Sequence, residues 1–150
     1  MQKKMLNVRS MKREDGREVA KLEKQIFSDA WSEKSILDTL EQSQAFILVA
    51  ESEGNIVGYC IVYHALDEAE IARIAVNENR RKQGVGQELL RATCRVCMQQ
   101  GICRLLLDVR ESNENARNFY SKFGFAEDGI RKNFYQNPQE HAVLMSMPIN

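Results

Sequence analysis

The sequence has no long hydrophobic run. Nothing in its 150 residues approaches the roughly 20 consecutive apolar residues of a membrane span. The first residues, MQKKMLNVRSMKRED, also lack the apolar stretch of a secretion signal. We therefore expect a cytoplasmic protein with no membrane partner. A chain of this length buries a substantial core without disulfides or a structural metal, so we predict a single domain over residues 1–150.

An excess of charge of either sign is also missing. Lys plus Arg and Asp plus Glu both number 21, so the formal net charge is zero. No global positive field draws such a chain to nucleic acid or to an anionic membrane, and a polyanion would have to bind at a local site. We expect no nucleic-acid partner, and a monomer or weak dimer.

Potential metal ligands are few. The chain has two histidines and four cysteines, which are His64, His141, Cys60, Cys94, Cys97 and Cys103. Cys94 and Cys97 have the C-x-x-C spacing, but they fall in a helical pattern without the Gly- or Pro-containing turn of a metal-binding pair. We interpret the cysteines as small apolar core residues in a reducing compartment, and we predict no metal site.

Hydrophobic periodicity predicts alternating strands and helices with no linker or repeat. Ser32 is a good N-cap, and Trp31 before it is placed to pack on Ile36 as a hydrophobic staple. Strands are expected at 6–11, 45–52, 56–65, 68–76, 103–110, 125–135 and 141–149, and helices at 14–27, after Ser32, after the glycines at 84 and 86, and at 112–124. The long helix between 68–76 and 103–110 predicts that these two strands are parallel. The fold class is then α/β, a three-layer α/β/α sandwich around a mixed, mostly antiparallel sheet.

Two nearly adjacent glycines, in the stretch RRKQGVGQELL, follow a predicted strand and open a helix. A strand, a glycine turn and a helix N-terminus direct several backbone N–H groups into one concavity, which suits a phosphate. The nucleotide-triphosphate loop would need Gly-Lys-Ser/Thr, and the dinucleotide fingerprint would need a third glycine where Glu88 stands. Both patterns fail here. The alternative is a helix-opening turn without a ligand.

The pattern Arg81-x-x-Gly84-x-Gly86 resembles the pyrophosphate-binding loop of the GCN5-related N-acetyltransferase (GNAT) superfamily, whose ligand is acetyl-coenzyme A. Asn113-x-x-Ala116-x-x-x-Tyr120 followed by FGF resembles the superfamily's second signature. The segments WSEK, DEAEIARIAV, DVRESNENARNFYSKFGF, IRKNFY and LMSMPI are similar to the RimI-like branch, which acetylates the N-terminal alanine of a small-subunit ribosomal protein.

The resemblance implies which residues hold the cofactor. Backbone groups of Ile74, Ala75 and Val76 would bind the pantetheine arm, and Asn113 would anchor the cofactor further along. The pyrophosphate would lie against Lys82, Gln83, Gly84, Val85, Gly86 and Gln87.

The resemblance also implies the catalytic groups. Tyr120 would donate a proton to the leaving thiolate, and a phenol with a pKa near 10 is suited to this task. The family's base is a glutamate, and this sequence has Asp108 in its place, one methylene shorter and able to act through a water. The alternatives are a core aromatic at Tyr120, an ion pair of Asp108 with Arg110 or Arg104, and Glu70 as the base.

Trp31 and Tyr135 are the candidate walls of the acceptor site, although the staple explains Trp31 equally well. Tyr135 falls in a loop pattern, where core packing explains an aromatic less easily. The implied partner is a protein N-terminus, that of an alanine-starting small-subunit ribosomal protein. The alternatives are a lysine side chain, a small-molecule amine, and a non-catalytic sensor of coenzyme A.

Overall fold

The computed structural model describes residues 5–150. One seven-stranded sheet contains β1 (Asn7–Ser10), β2 (Ala45–Ser52), β3 (Asn55–Ala65), β4 (Glu68–Val76), β5 (Arg104–Arg110), β6 (Ala126–Tyr135) and β7 (Glu140–Pro148). Their spatial order is β1-β2-β3-β4-β5-β7-β6. Only β4 and β5 are parallel, and the other neighbours are antiparallel. The predicted parallel arrangement of β4 and β5 is confirmed, and β2 and β3 form an antiparallel hairpin.

Helices cover both faces of the sheet. They are α1 (Gly16–Ile26), α2 (Glu33–Leu40), α3 (Val85–Gln99) and α4 (Glu114–Phe123), with short 3₁₀ turns at Arg13–Asp15 and Glu78–Arg80. One apolar cluster packs α1 and α2 on the sheet, around Val19, Ile36 and Tyr59. The other packs α3 and α4 on the opposite face, around Leu89 and Leu105. The predicted three-layer α/β/α sandwich is confirmed.

Local signals in the sequence explain where the helices begin and end. The Ser32 hydroxyl accepts a hydrogen bond from the backbone N–H of Ser35 at 3.1 Å, as an N-cap should. Trp31 and Ile36 belong to the same apolar cluster, as a staple requires. Gly124 ends α4 with a positive φ of 132°.

The cysteine prediction needs one correction. Cys60 and Cys97 are buried and Cys94 is half-buried, as expected of small core residues, but Cys103 is exposed. It lies between the turn that ends α3 and the first residue of β5, outside the apolar clusters. No helix among residues 5–150 is long and apolar enough to cross a membrane.

A β-bulge in β4 decides which way its side chains face. Opposite β3, Ile61 pairs with Arg73 and the next residue, Val62, pairs with Ile71, so Ala72 is an extra residue in β4. Ile71 packs on the α3 side of the sheet, and alternation without the bulge would put Arg73 there as well. The bulge instead turns Arg73 towards α1 and α2.

Candidate active site

The two central strands separate part of the way along their length. β4 and β5 pair at three positions, from Glu68 with Arg104 to Glu70 with Leu106. β4 then continues to Val76 and β5 to Arg110 with no further pairing between them. The result is a gap in the middle of the sheet, and the β5 side of β4 keeps backbone groups without a strand partner in residues 5–150.

Backbone geometry identifies which residues of β4 face this gap. Asn77 donates its N–H to the carbonyl of Val57 on β3 at 2.7 Å, so the Val76 carbonyl of the same peptide unit points away from β3. It accepts instead from Arg81 Nε at 3.3 Å. Because backbone directions alternate along a strand, Ile74 also faces the gap, whereas Ala75 is directed towards β3.

Two residues of the glycine loop have left-handed backbone conformations. Gly84 has a φ of 84° and Lys82 a φ of 64°, both in the left-handed region. Positive φ values at alternate residues before a helix are typical of backbone nests, in which successive N–H groups converge on an anion. Lys82, Gln83 and Gln87 are exposed, and the Val85 side chain is buried, so only the backbone of Val85 can face a ligand.

Gly86 lies where α3 approaches α4. A Cβ at this position would lie 3.1 Å from Cζ of Phe119 on α4, so Gly86 permits close packing of the two helices. The Gln83 side chain is also engaged locally. Its oxygen accepts from Arg80 Nε at 3.1 Å, and its nitrogen donates to the Asn79 carbonyl at 3.3 Å.

Tyr120 lies in the layer formed by α3 and α4. The residue is 8% exposed, and its ring packs edge-on against Phe125 with centroids 5.6 Å apart. Every buried side-chain nitrogen or oxygen in the described chain has a hydrogen-bond partner, and the Tyr120 hydroxyl has none there, so this hydroxyl reaches solvent-accessible space. Burial, with smaller effects of Cys60 and Tyr135, raises the pKa of the phenol.

Asn113 serves as the N-cap of α4. Its side-chain oxygen accepts from the N–H of Ala116 at 3.1 Å. The oxygen is therefore committed to the helix, and the amide nitrogen is the group left to donate to a ligand.

Asp108 lies on the opposite face of the sheet from Tyr120. Its neighbours Leu107 and Val109 are buried against α3 and α4, so alternation along β5 turns Asp108 towards the α1 and α2 side. The side chain is 16% exposed, and its oxygen lies 3.9 Å from Nη1 of Arg131 on β6. The two partners considered in the alternative interpretation of Asp108 are engaged elsewhere, since Arg104 pairs with Asp128 and Arg110 with Glu140.

Tyr135 forms one side of this region. It is the last residue of β6, as the strand predicted at 125–135 implied, so the loop pattern suggested for Tyr135 is wrong. The Arg110 guanidinium lies 4.5 Å from the centre of its ring. Burial raises the pKa of Tyr135 to about 12, and the Asp108 carboxylate adds to this effect.

Trp31 lies directly before α2. It packs against the α1 and α2 cluster, and its backbone N–H donates to Oε2 of Glu23 at 2.9 Å. The Arg73 guanidinium lies 5.8 Å from the centre of the Trp31 ring.

Sequence reasoning missed Glu23, Arg73 and Arg131. Glu23 had a detectable signal, because it falls four residues after Val19 on the apolar stripe of α1, where a charge is unusual. Arg73 faces this region only because of the bulge, and Arg131 reaches Asp108 from a distant part of the chain. Among residues 5–150, no group of three or more His, Cys, Asp or Glu side chains is arranged to hold a metal ion.

Comparisons with known proteins identify the family. The model of the acetyltransferase (GNAT) family matches residues 16–125. The ribosomal protein bS18-alanine N-acetyltransferase of Escherichia coli K12 is 30% identical over 131 residues, 86% of this chain and 88% of the relative. A Bacillus subtilis protein to which the same activity is provisionally assigned is 38% identical over 95% of both chains.

Solved structures give the same result. The crystal structure of the Escherichia coli ribosomal-protein-S18-alanine N-acetyltransferase superposes with a TM-score of 0.89 at 29% identity, over 97% of this chain and 95% of that one. Ard1 from Thermoplasma volcanium superposes with a TM-score of 0.88 at 26% identity, over 97% and 98%. The predicted fold and family are both confirmed. The chain belongs to the acetyltransferase (GNAT) family.

Proposed function

We propose that this enzyme transfers the acetyl group of acetyl-coenzyme A to the N-terminal amine of an alanine-starting protein, a small-subunit ribosomal protein of the bS18 type. The observation that carries the proposal is the gap between β4 and β5, with Tyr120 in the layer on one face of the sheet and Asp108 on the other. Reacting groups placed in this gap are accessible to an acid from one face and to a base from the other. The names of the bS18-acetylating relatives support the choice of acceptor.

The residues present fit acetyl-coenzyme A. The unpaired backbone of Ile74 and Val76 is suited to the amide groups of the pantetheine arm, which would extend the sheet. The concavity formed by Lys82 and Gly84 is suited to the pyrophosphate. The Val85, Gly86 and Gln87 N–H groups belong to the first turn of α3 and add its dipole. When bound, acetyl-coenzyme A supplies the activated acetyl thioester.

Three residues have more restricted roles in cofactor binding than the family resemblance implied. Ala75 directs its backbone to β3, so its contribution is the spacing between Ile74 and Val76. Gln83 contributes mainly through its backbone N–H, because its side chain is bonded to Arg80 and Asn79. Asn113 contributes its amide nitrogen.

Asp108 acts as the general base for the incoming amine, directly or through a water. Glu70, at the last paired position of β4, lies on the same face and is the reserve base. Burial raises the pKa of Glu70, the Asp108 charge raises it further, and Arg131 opposes both effects. The side chains of Asp108 and Glu70 face the same region, where a protonated amine would be attracted and then deprotonated.

Tyr120 acts as the general acid towards the departing thiolate. Its raised pKa keeps the hydroxyl protonated at neutral pH, and the hydroxyl is not engaged by another group in residues 5–150. Packing of the ring against Phe125 holds the phenol in place. Trp31 and Tyr135 form the two walls that receive the acceptor's first residue.

A bS18-type acceptor is synthesised in the cytoplasm, so we propose that the enzyme acts there. We also propose that residues 1–150 act as one domain, which the single sheet from Asn7 to Pro148 supports.

The test is a screen of acetyl-coenzyme A consumption against peptides that differ only in their first residue. We expect turnover with peptides that begin with alanine and much less with peptides that begin with a large residue. Consumption with polyamines or aminoglycosides but with no peptide would reject the proposed acceptor. Binding of acetyl-coenzyme A without turnover of any amine would favour a sensor.

A further inference from the structure

We propose that Arg73, fixed by the buried Glu23, is a positioning residue for the acceptor site. It holds the segment that carries Trp31 in place beside the gap between β4 and β5. This inference rests on the proposed function, since it assigns a role at the acceptor wall.

The link between Arg73 and Glu23 is a two-donor contact. Oε2 of Glu23 accepts from Arg73 Nε at 3.0 Å and from Nη2 at 2.8 Å. The Glu23 side chain is 0% exposed and that of Arg73 is 15% exposed. A planar guanidinium held by two donors to a buried carboxylate has little rotational freedom.

Glu23 joins three parts of the fold. It lies in α1, accepts from the hydroxyl of Tyr59 on β3, and binds Arg73 on β4. It also accepts from the backbone N–H of Trp31 at 2.9 Å. One buried carboxylate therefore fixes the backbone before α2 relative to the central strands.

Arg73 holds the same segment from its outer side. Its Nη2 donates to the Asp29 carbonyl at 3.0 Å and to Oδ1 of Asp29 at 3.2 Å. Its guanidinium lies 3.9 Å from the centre of the Phe27 ring, which is within cation–π range. Phe27, Asp29 and Trp31 are thus all within reach of one side chain.

Arg73 also acts electrostatically on Tyr135, the opposite wall. The bulge at Ala72 turns Arg73 to the Glu70 face of the sheet. The positive charge of Arg73 lowers the pKa of Tyr135, whereas burial raises it. A loosened Arg73 would therefore let Trp31 move relative to Tyr135. The space for the acceptor's first residue would become less well defined.

Trp31 provides a direct readout, because it is the single tryptophan of the chain. The primary variant is Arg73→Lys, which keeps the charge but loses the fork that reaches Glu23 and Asp29 together. The matched control is Arg9→Lys, which changes a similar two-donor pair between Arg9 and Asp15, with distances of 2.8 and 3.0 Å, away from Trp31.

We expect acrylamide quenching of Trp31 fluorescence to increase in Arg73→Lys and to stay at the wild-type level in Arg9→Lys. For an alanine-starting peptide, we expect KM to rise at least about fivefold in Arg73→Lys while kcat changes less than about twofold, because the chemical groups are untouched. The dissociation constant of acetyl-coenzyme A should remain unchanged. A general loss of stability would change both the peptide KM and the dissociation constant of acetyl-coenzyme A.

Unchanged Trp31 quenching, or an unchanged peptide KM, would overturn the inference. If Arg73→Lys does not fold, Asp29→Ala is the variant that tests the inference. The Asp29 side chain is 81% exposed, and its removal loosens only its own contact with Arg73. We expect a smaller increase in quenching and in peptide KM, and wild-type values would overturn the inference. Absence of turnover with any peptide in the wild type would instead reject the proposed function, and the quenching comparison would still decide whether Arg73 holds Trp31.

Discussion

Glu70 and Asp108 interact electrostatically across the line where β4 and β5 separate. Burial raises the pKa of Glu70, and the negative charge of Asp108 raises it further. The two carboxylates come from strands that pair only up to Glu70 and Leu106, and both lie on the α1 and α2 face. The pair concentrates negative charge where the acceptor amine is proposed to enter.

Removal of the Asp108 charge should lower the pKa of Glu70. In Asp108→Asn we expect the Glu70 carboxyl to titrate at lower pH than in the wild type, because one of the two causes that raise its pKa is gone. The measurement is a carbon-13 NMR titration of labelled glutamate side chains, with Glu70→Gln to assign the signal. An unchanged titration would show that the two groups do not interact.

The raised pKa of Glu70 also determines how stability changes with pH. A carboxyl whose pKa is raised by folding binds protons more tightly in the folded state, so stability falls as pH rises from its ordinary pKa through its raised pKa. Asp108→Asn should therefore reduce this part of the pH dependence. The change should amount to less than about 1 kcal/mol, because Glu70 is only partly withdrawn from solvent, which screens its charge.

Tyr120→Phe should separate catalysis from folding. We expect kcat to fall by about 10²- to 10⁴-fold when the acid is lost. Thermal stability should be nearly unchanged, because the ring packing remains and no protein group in the described chain bonds the hydroxyl. Single-turnover rates and thermal unfolding measure the two effects, and wild-type turnover with chemistry rate-limiting would exclude this role.

The two glycines should respond differently to alanine. In Gly84→Ala, the alanine must adopt a left-handed backbone conformation, although the space around its Cβ is open. We therefore expect weaker acetyl-coenzyme A binding and a loss of about 1 kcal/mol in stability. Gly86→Ala instead places a Cβ 3.1 Å from Phe119. The additional substitution Phe119→Leu should relieve that contact and recover stability.

Calorimetry of acetyl-coenzyme A binding and thermal unfolding test both variants. Phe119→Leu alone is the control for the double variant. Equal behaviour of the two glycine variants, with no relief by Phe119→Leu, would contradict the separate roles.

Local patterns predicted most of the fold. β2 and β4 have the bounds that their branched and aromatic residues indicated. Ser32 caps α2, as predicted. Both features depend on residues that are neighbours in the sequence. The spacing of Gly84 and Gly86 also predicted the glycine loop before α3. These features depend little on the rest of the chain.

Features that depend on distant strands were not predictable in the same way. The bulge at Ala72 exists only relative to β3, and it alone turns Arg73 towards Glu23. The contact between Asp108 and Arg131 joins β5 to an edge strand, with β7 between them. The turn residues that follow Tyr135 suggest a loop at this position, although the strand predicted at 125–135 ends there, as β6 does.

The acceptor is the central claim, and one peptide tests it most directly. An N-terminal amine has a pKa near 7.7 to 8.0 and a lysine side chain one near 10.4, so at neutral pH a much larger fraction of N-termini is uncharged. A modest base such as Asp108 suffices for the first and poorly serves the second. The measurement is fragment mass analysis of a peptide with a free N-terminal alanine and one internal lysine, after incubation with enzyme and acetyl-coenzyme A. We predict acetylation at the alanine with the lysine free, whereas acetylation of the lysine with a free N-terminus would contradict N-terminal transfer.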